Sequence, residues 1–546
     1  MWLATKGKRW APLSSDQTDS CKRKLQRRHT PLNPPLQSVV AGSFQNGVFL
    51  RTFADHVVQK GVVQRGRPAV KRNLVVASGC SGSGMDAVAL DALQNALGSE
   101  RIDIAFKTAF FAEDAKDKKA WAYNVHKILA GNVDSLFPCA YGDIRSVGDP
   151  KNSCLKCGTS KCGPPLVLDI FIIGFSCKDF ARCNANRKLR AGSDITGAAS
   201  SPGKSADSYH GLLHLLDTTP PEIVIIENVD ELTHEHHKGG LDDLLSELSL
   251  RSYDTQAFII DCSEYVLPQV KKRLWIVALR RPNRIIANES FVDVFKTVED
   301  LLGVFKLSGP SLPDILMPDG HTAIEKELQS RLQNTPKRSF ESSSIDSHRA
   351  AWTSLGLAFR NHRARDVDAL SAWFSTLTAR EQDILSYVQH SHAMKFEDAV
   401  VAARLAVCDV NQSINQLALG HVGSLGRQLA CTIMPRGKVW LSMEPGDGCN
   451  NGPSVHRLLH GREALLLNGF PVGENRFEKL ISETKPSFLH DLGGNAFAST
   501  VVVSLVAAVL FAVDLKQEGS NETVQTVDDA AAAIILMKRA RTIREQ

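Results

Sequence analysis

The chain has 546 residues, 43% hydrophobic and 23% charged, enough for more than one core and roughly two to four units at ~150 residues each. No apolar run is both long and uninterrupted enough to span a bilayer, so a soluble intracellular enzyme is expected; residues 495–513 come closest and read as a buried helix. The formal charge of +5 is too small to establish an anionic partner, and twelve cysteines without a signal peptide point to reduced thiols, not a disulfide framework.

Residues 1–70 lack apolar periodicity and carry Lys6, Lys8, Arg9, Lys22, Arg23, Lys24, Arg27 and Arg28. They read as a flexible basic arm: an import signal, a DNA-phosphate contact or a solvated tail. From residue 74, strand and helix patterns alternate. Buried strands are expected at 74–78, 106–113, 140–143, 168–175, 222–229, 255–261 and 273–279, and helices at 85–97, 116–129, 208–216 and 241–250. This predicts an α/β fold with a mostly parallel seven-stranded sheet and ligands at the strands' carboxyl ends. The link 262–272 has no helical pattern and fits an antiparallel pair at the sheet edge.

The alternation stops after Pro282, and 71–282 is taken as the first part of a catalytic domain. Residues 283–455 form a smaller inserted domain, in which Thr378 and Glu381 make a capping-box signature. Residues 456–515 close the first domain, with the apolar helix 498–513 packing back on the sheet. A basic tail with a helix at 530–546 ends the chain within 516–546.

The chemistry sits at strand ends. The turn containing Gly79, Gly82 and Gly84 follows the first strand and would let a cofactor approach the backbone; Glu113 ends the second and can accept from ribose hydroxyls. Asp143 ends the third and could accept from an adenine amino group. The fourth strand runs into Cys177, the fifth ends in Glu227-Asn228-Val229, and Gln269, Lys271 and Arg273 open the last. A thiol nucleophile, a carboxylate and an arginine thus converge, a set able to attack and hold a pyrimidine ring.

In this order, the motifs across 74–281 and 457–510 resemble the DNA (cytosine-5)-methyltransferases. The resemblance implies a class I S-adenosylmethionine-dependent methyltransferase fold, Rossmann-like, with an inserted target-recognition domain. It implies S-adenosyl-L-methionine held by Gly79, Gly82, Gly84, Glu113, Asp143, Ile144, Asn495 and Ala496. Cys177 would be the nucleophile, Glu227 and Arg273 would hold the base, and Gln269, Lys271 and Arg182 would contact substrate. Departures from the family pattern are Ala77, Ser176, Lys178 and Lys271.

Carbon 5 of cytosine is a poor nucleophile, so the implied reaction begins with a thiolate adding to carbon 6. The target base must leave the duplex to be reached. Residues 181–207 carry Arg182, Arg187, Lys188, Arg190 and Lys204 against Asp194 and Asp207, and read as a lid over it. The expected partner is double-stranded DNA with a flipped cytosine, no membrane is expected, and protein partners are unknown. A nuclear location is expected in a eukaryote, a cytoplasmic one otherwise. Two alternatives remain, methylation of transfer RNA and a catalytically silent DNA-binding relative.

Other clusters carry less. Cys154, Cys157 and Cys162, with Cys139 or Cys183 as a fourth, have ligand types suited to zinc, but the second ligand pair is missing and ordinary thiols are the favoured reading. His234, His236 and His237 read as solvated, Arg360, Arg363 and Arg365 equally as phosphate contacts or a charged face, and Cys80 and Cys183 as structural or incidental.

Overall fold

The computed structural model describes residues 44, 47–68, 71–80, 82–131, 137–147, 154–157, 167–176, 204–235, 237–288, 290–334, 342–356, 372–395, 405–422, 427–443 and 455–516. The expectations for residues 1–43, most of the 181–207 lid, Arg360, Arg363, Arg365 and the tail from 517 lie outside the described residues.

Seven strands form one sheet: β1 (Arg72–Gly79), β2 (Ile104–Ala112), β3 (Cys139–Tyr141), β4 (Ile170–Gly174), β5 (Ile223–Val229), β6 (Tyr253–Asp261) and β7 (Lys272–Arg280). Their order is β3-β2-β1-β4-β5-β7-β6. The first five are parallel, while β7 runs antiparallel to both β5 and β6. The link without a helix therefore does join an antiparallel pair at the edge, as its pattern predicts. Strands β4 and β5 read as continuous Ile/Val runs because both of their faces are covered. On one face lie α4 (Lys204–Thr218) and α5 (Lys238–Leu250), contributing Tyr209, Leu212, Leu244 and Leu248 to a core.

The opposite face is covered by α1 (Phe49–Arg65), α2 (Met85–Ser99), α3 (Lys116–Leu129), α6 (Phe291–Phe305) and α13 (Ser499–Ala512). Two expectations are corrected here. The basic arm does not extend over 49–65: α1 buries Phe49, Leu50, Phe53, Ala54, Val57 and Val58 and packs on α2, α6 and α13. Its apolar face ends at Gly61, which sits where a Cβ would lie 2.5 Å from the Phe511 ring, so a residue without a side chain holds a buried position of the helix. Likewise α6 belongs to the sheet core although it falls after residue 282, because Val294, Val298, Leu301 and Phe305 line one apolar stripe against α13.

The inserted unit has its own core, formed by Ile324, Trp373, Ile384, Leu385, Val388, Val410 and Trp440. It begins with α7 (Thr322–Asn334), continues through α8 (Ser342–Ser354) and α9 (Ala379–Lys395), and contains a sheet of β8 (Leu405–Asp409), β11 (Val439–Met443) and β12 (Val455–Leu458). The short pair β9 (His421–Val422) and β10 (Gln428–Leu429) lies between β8 and β11 in sequence. The predicted capping box caps α9: the Thr378 N–H donates to Glu381 Oε2 at 2.9 Å. The chain closes through α10 (Gly461–Leu466), α11 (Asn475–Ser482), α12 (Pro486–Asn495) and α13. Every residue of α13 is buried, as expected of the most apolar stretch; within Pro486–Ala512 the most apolar window is 94% buried inside the fold.

A buried ion pair staples the insertion to this closing part. Arg457, 0% exposed, donates to both oxygens of Glu463, 1% exposed, at 2.8 Å each, and to Asp319 and the Met317 carbonyl. Burial alone would raise the Glu463 pKa, but the Arg457 charge and the N–H groups of His460 and Met317 outweigh it and hold it low. Removing one partner leaves the other as an uncompensated buried charge. Arg457→Met should therefore cost about 3–5 kcal/mol in chemical denaturation, and adding Glu463→Leu should recover most of it. Because the folded pKa of Glu463 is depressed, its contribution is present above the unfolded value of ~4.3 and lost as the pH falls through the folded one, so the deficit of the single variant should shrink in acid. A deficit below ~1 kcal/mol at neutral pH would show that the pair is not the staple.

Candidate active site

The antiparallel entry of β7 puts its first residues beside the carboxyl ends of β4 and β5. Arg273 pairs with Val229, and Glu227 pairs with Trp275. Side chains two residues apart on a strand share a face, so Glu227 and Arg273 face the same way. Their side chains meet, with Arg273 Nε 3.1 Å from Glu227 Oε1, both mostly buried. Burial raises the Glu227 pKa, and the charges of Arg273 and Lys271 partly oppose the rise.

Beside this pair, β4 ends at Gly174, opposite Glu227 in the register. A Cβ at Gly174 would lie 2.5 Å from the Phe497 ring and 3.2 Å from Glu227 Oε2, so glycine is what lets ring and carboxylate approach the strand. The chain then passes Phe175 and Ser176 toward Cys177, which lies outside the described residues, as do Lys178 and Arg182. Two bonds fix this exit. Asn228 Nδ2 donates to the Phe175 carbonyl at 3.2 Å, and the Ser176 N–H donates to Ser208 Oγ of α4 at 3.0 Å. A proline at position 176 could not make the second bond, so serine there comes with its own anchor.

The expected cofactor residues gather at the ends of β1, β2 and β3. Cys80, Gly82 and Gly84 have φ of 56°, 46° and 70°, so the turn coils through left-handed conformations before α2. The Gly82 N–H donates to Glu113 Oε2 at 2.8 Å, and the Ala115 N–H to Oε1 at 3.0 Å. A Cβ on Gly82 would sit 3.8 Å from Glu113 and 3.9 Å from the Asn495 carbonyl, so three distant segments face one another across the space its missing side chain leaves. Asp143 is half-exposed; burial raises its pKa, but the Arg145 side chain and backbone N–H outweigh this and lower it.

Four expected contacts are placed differently. Gln269 (0% exposed) and Lys271 (2%) are buried and engage protein groups. Gln269 donates to the Leu467 carbonyl and accepts from the Ile433 N–H, each at 2.9 Å. Lys271 Nζ donates to Asn468 Oδ1 at 2.7 Å and to the Ala496 carbonyl at 2.6 Å. Both tie β7 to the closing part of the chain. Ile144 is likewise packed inward, against Gly79 and Gly211, and Asn495 turns its amide to the Asp491 carbonyl of its own helix. Asn468, Ser208 and Phe497 escaped the sequence reading because none stands in a strand-end motif; the Phe497–Trp275 ring contact, 6.0 Å between centroids, exists only in three dimensions.

A family model described as C-5 cytosine-specific DNA methylase matches residues 161–510. The chain is 24% identical over 512 residues to the DNA (cytosine-5-)-methyltransferase DMT5 of Cryptococcus neoformans var. grubii, covering 89% of this chain and 19% of that protein. It is 27% identical over 139 residues to the type II methyltransferase M.SacI of Streptomyces achromogenes, covering 26% of this chain and 32% of that one. The chain thus spans about a fifth and about a third of these relatives. The crystal structure of the S. pombe Dnmt2 methyltransferase aligns over 80% of this chain and 98% of its own, at 14% identity and a TM-score of 0.35.

Burial pushes the Glu113 pKa up to about 6, against the Ala115 and Gly82 N–H groups that lower it. Since this folded value lies above the unfolded ~4.3, protonation favours the fold fully below ~4.3, and that contribution is lost as the pH rises through about 6. Carboxyl-carbon NMR of the full chain should show a titration near pH 6 that is missing in Glu113→Gln. A titration of this carboxyl near its ordinary value would show that burial does not control it.

Proposed function

The chain belongs to the C-5 cytosine-specific DNA methylase family, and from that premise we propose that it transfers the methyl group of S-adenosylmethionine to carbon 5 of cytosine in DNA. The observation that carries the reading is the Glu227–Arg273 pair at the strand ends, directly beside the backbone that leads into Cys177. Glu113, the glycine turn and the Asn495 carbonyl suit the cofactor: a carboxylate among backbone groups, facing a glycine whose absent side chain leaves room for a nucleoside. When bound there, S-adenosylmethionine supplies an electrophilic methyl group.

The protein's own residues supply the rest. Cys177 adds as a thiolate to carbon 6, forming the sulfur–carbon bond and moving electron density toward carbon 5; once carbon 5 is methylated, loss of its proton to a base breaks that sulfur–carbon bond and returns the thiolate. Glu227, with its raised pKa, holds the ring nitrogen and the exocyclic amino group as charge develops. Arg273 holds the carbonyl oxygen and, paired with Glu227, fixes that carboxylate's direction. Phe497, buried between Gly174 and Trp275, walls the same strand ends.

A duplex carrying 5-fluorocytosine in many sequence contexts tests this. Fluorine cannot leave as a proton does, so the adduct should survive denaturing electrophoresis, require S-adenosylmethionine and vanish in Cys177→Ala. Glu227→Gln should lower turnover on ordinary DNA by roughly 10²–10³, the usual cost of one group aimed at developing charge. Trapping on an equivalent RNA alone would transfer the reading to RNA. Absence of trapping on both, by folded protein that binds the cofactor, would leave a silent relative.

A further inference from the structure

The motif C-x2-C-x4-C has no part in the chemistry above, yet the fold gives it a partner that sequence spacing only hinted at. Cys154 and Cys157 flank a turn laid along β3, and their sulfurs and that of Cys139, the first residue of β3, all lie within 4.8 Å of one another. None of the three is in a disulfide, and Cys154 is buried, Cys139 intermediate and Cys157 exposed. Cys162 and Cys183 lie outside the described residues.

We propose that Cys139, Cys154 and Cys157 bind a zinc ion that clamps the edge of the sheet. At a Zn–S bond of ~2.3 Å, tetrahedral ligands stand roughly 3.8 Å apart, so small side-chain rotations bring these sulfurs to bonding positions. Zinc accepts thiolates from a short knuckle plus one from a distant strand, which is the arrangement here. The knuckle is already held by the backbone: the Ala140 N–H donates to Cys154 Sγ at 3.4 Å, and the Leu155 N–H to the Ala140 carbonyl at 3.1 Å. N–H donors to a sulfur stabilise the charge it carries as a metal ligand. Lys156 Nζ donates to the Phe137 carbonyl, adding a third tie between knuckle and strand.

The location gives the clamp a purpose. β3 is an edge strand of three residues, too short to be held by its pairing with β2 alone. Its outward-facing Ala140 N–H and C=O are the groups the knuckle satisfies. Two residues after β3 stands Asp143, so the metal would fix the strand that carries one wall of the proposed cofactor site. Zinc has no redox chemistry, and three thiolates favour it over magnesium or calcium, which take oxygen ligands.

The experiment reads metal, not methyl transfer, and so stands or falls separately from the proposed activity. The full chain, purified under reducing conditions without chelator, should contain about one zinc per molecule by plasma mass spectrometry. Cys157→Ser, chosen because that thiol is exposed, should lose most of it while keeping the parent's circular dichroism. Protein stripped of zinc and given Co²⁺ should show thiolate-to-cobalt charge transfer and tetrahedral visible bands, bleached by Zn²⁺. The proposal is overturned if folded wild-type protein carries under a tenth of an equivalent of zinc and gives no cobalt bands. It is overturned equally if peptide mapping without reductant finds two of the three cysteines in a disulfide.

Discussion

The antiparallel placement of β7 between β5 and β6 is the constraint on which the rest of the molecule turns. A seventh parallel strand would have carried Arg273 to the opposite end of the sheet from Glu227. Running the other way, β7 starts where β5 stops, and the register Val229 to Arg273 puts guanidinium and carboxylate on one face. The same geometry sends the residues just before β7 into the interior. Gln269 and Lys271 become ties to Leu467, Asn468 and Ala496, so the strand that delivers the arginine also anchors the returning end of the chain.

Departures from the family pattern acquire physical counterparts in this arrangement. Lysine cannot reproduce the planar fork of arginine, but Lys271 meets an amide oxygen and a carbonyl oxygen, and separate acceptors suit a compact ammonium. Serine at 176 lacks the rigidity of proline, yet its N–H is held by Ser208. Ala77 is buried in the sheet core beneath the glycine turn, where a larger residue would have to displace Phe110 or Phe171.

The sheet was legible in the sequence because its strands are short apolar runs ending in chemically distinctive residues. All seven were placed within a few positions, and the helix 116–129 to the residue. The convergence of Glu113 with Gly82 and of Glu227 with Arg273 followed from strand-end positions. What stayed hidden depended on contacts between remote segments. Helix α1 looks like part of a basic arm until Phe511 is set against Gly61. Helix α6 looks like inserted domain until α13 covers its stripe. The burial of Gln269 and Lys271 is not legible either, because the motif gives their order along the chain but not which way the backbone turns before β7. The third sulfur of the cysteine cluster, Cys139, sits fifteen positions before Cys154, a spacing that pattern alone cannot rank above Cys183.

Helix α13 seals one face of the sheet against α1, and the Arg65 side chain reaches the Phe511 carbonyl across 446 positions of sequence. During synthesis the sheet is therefore complete in its strands long before the last helix of its cover exists. Ribosomes adding ~5–20 residues each second need on the order of ten to fifty seconds to make the interval between β7 and α13, and for that time the apolar face of a finished sheet awaits its lid. An inserted unit with a core of its own shortens the chemical hazard of that wait, since it can collapse locally and hold the two flanks near each other before the last helix arrives. The late α13 then completes the fold: until it docks, α1, α2 and α6 lack one of their final neighbours.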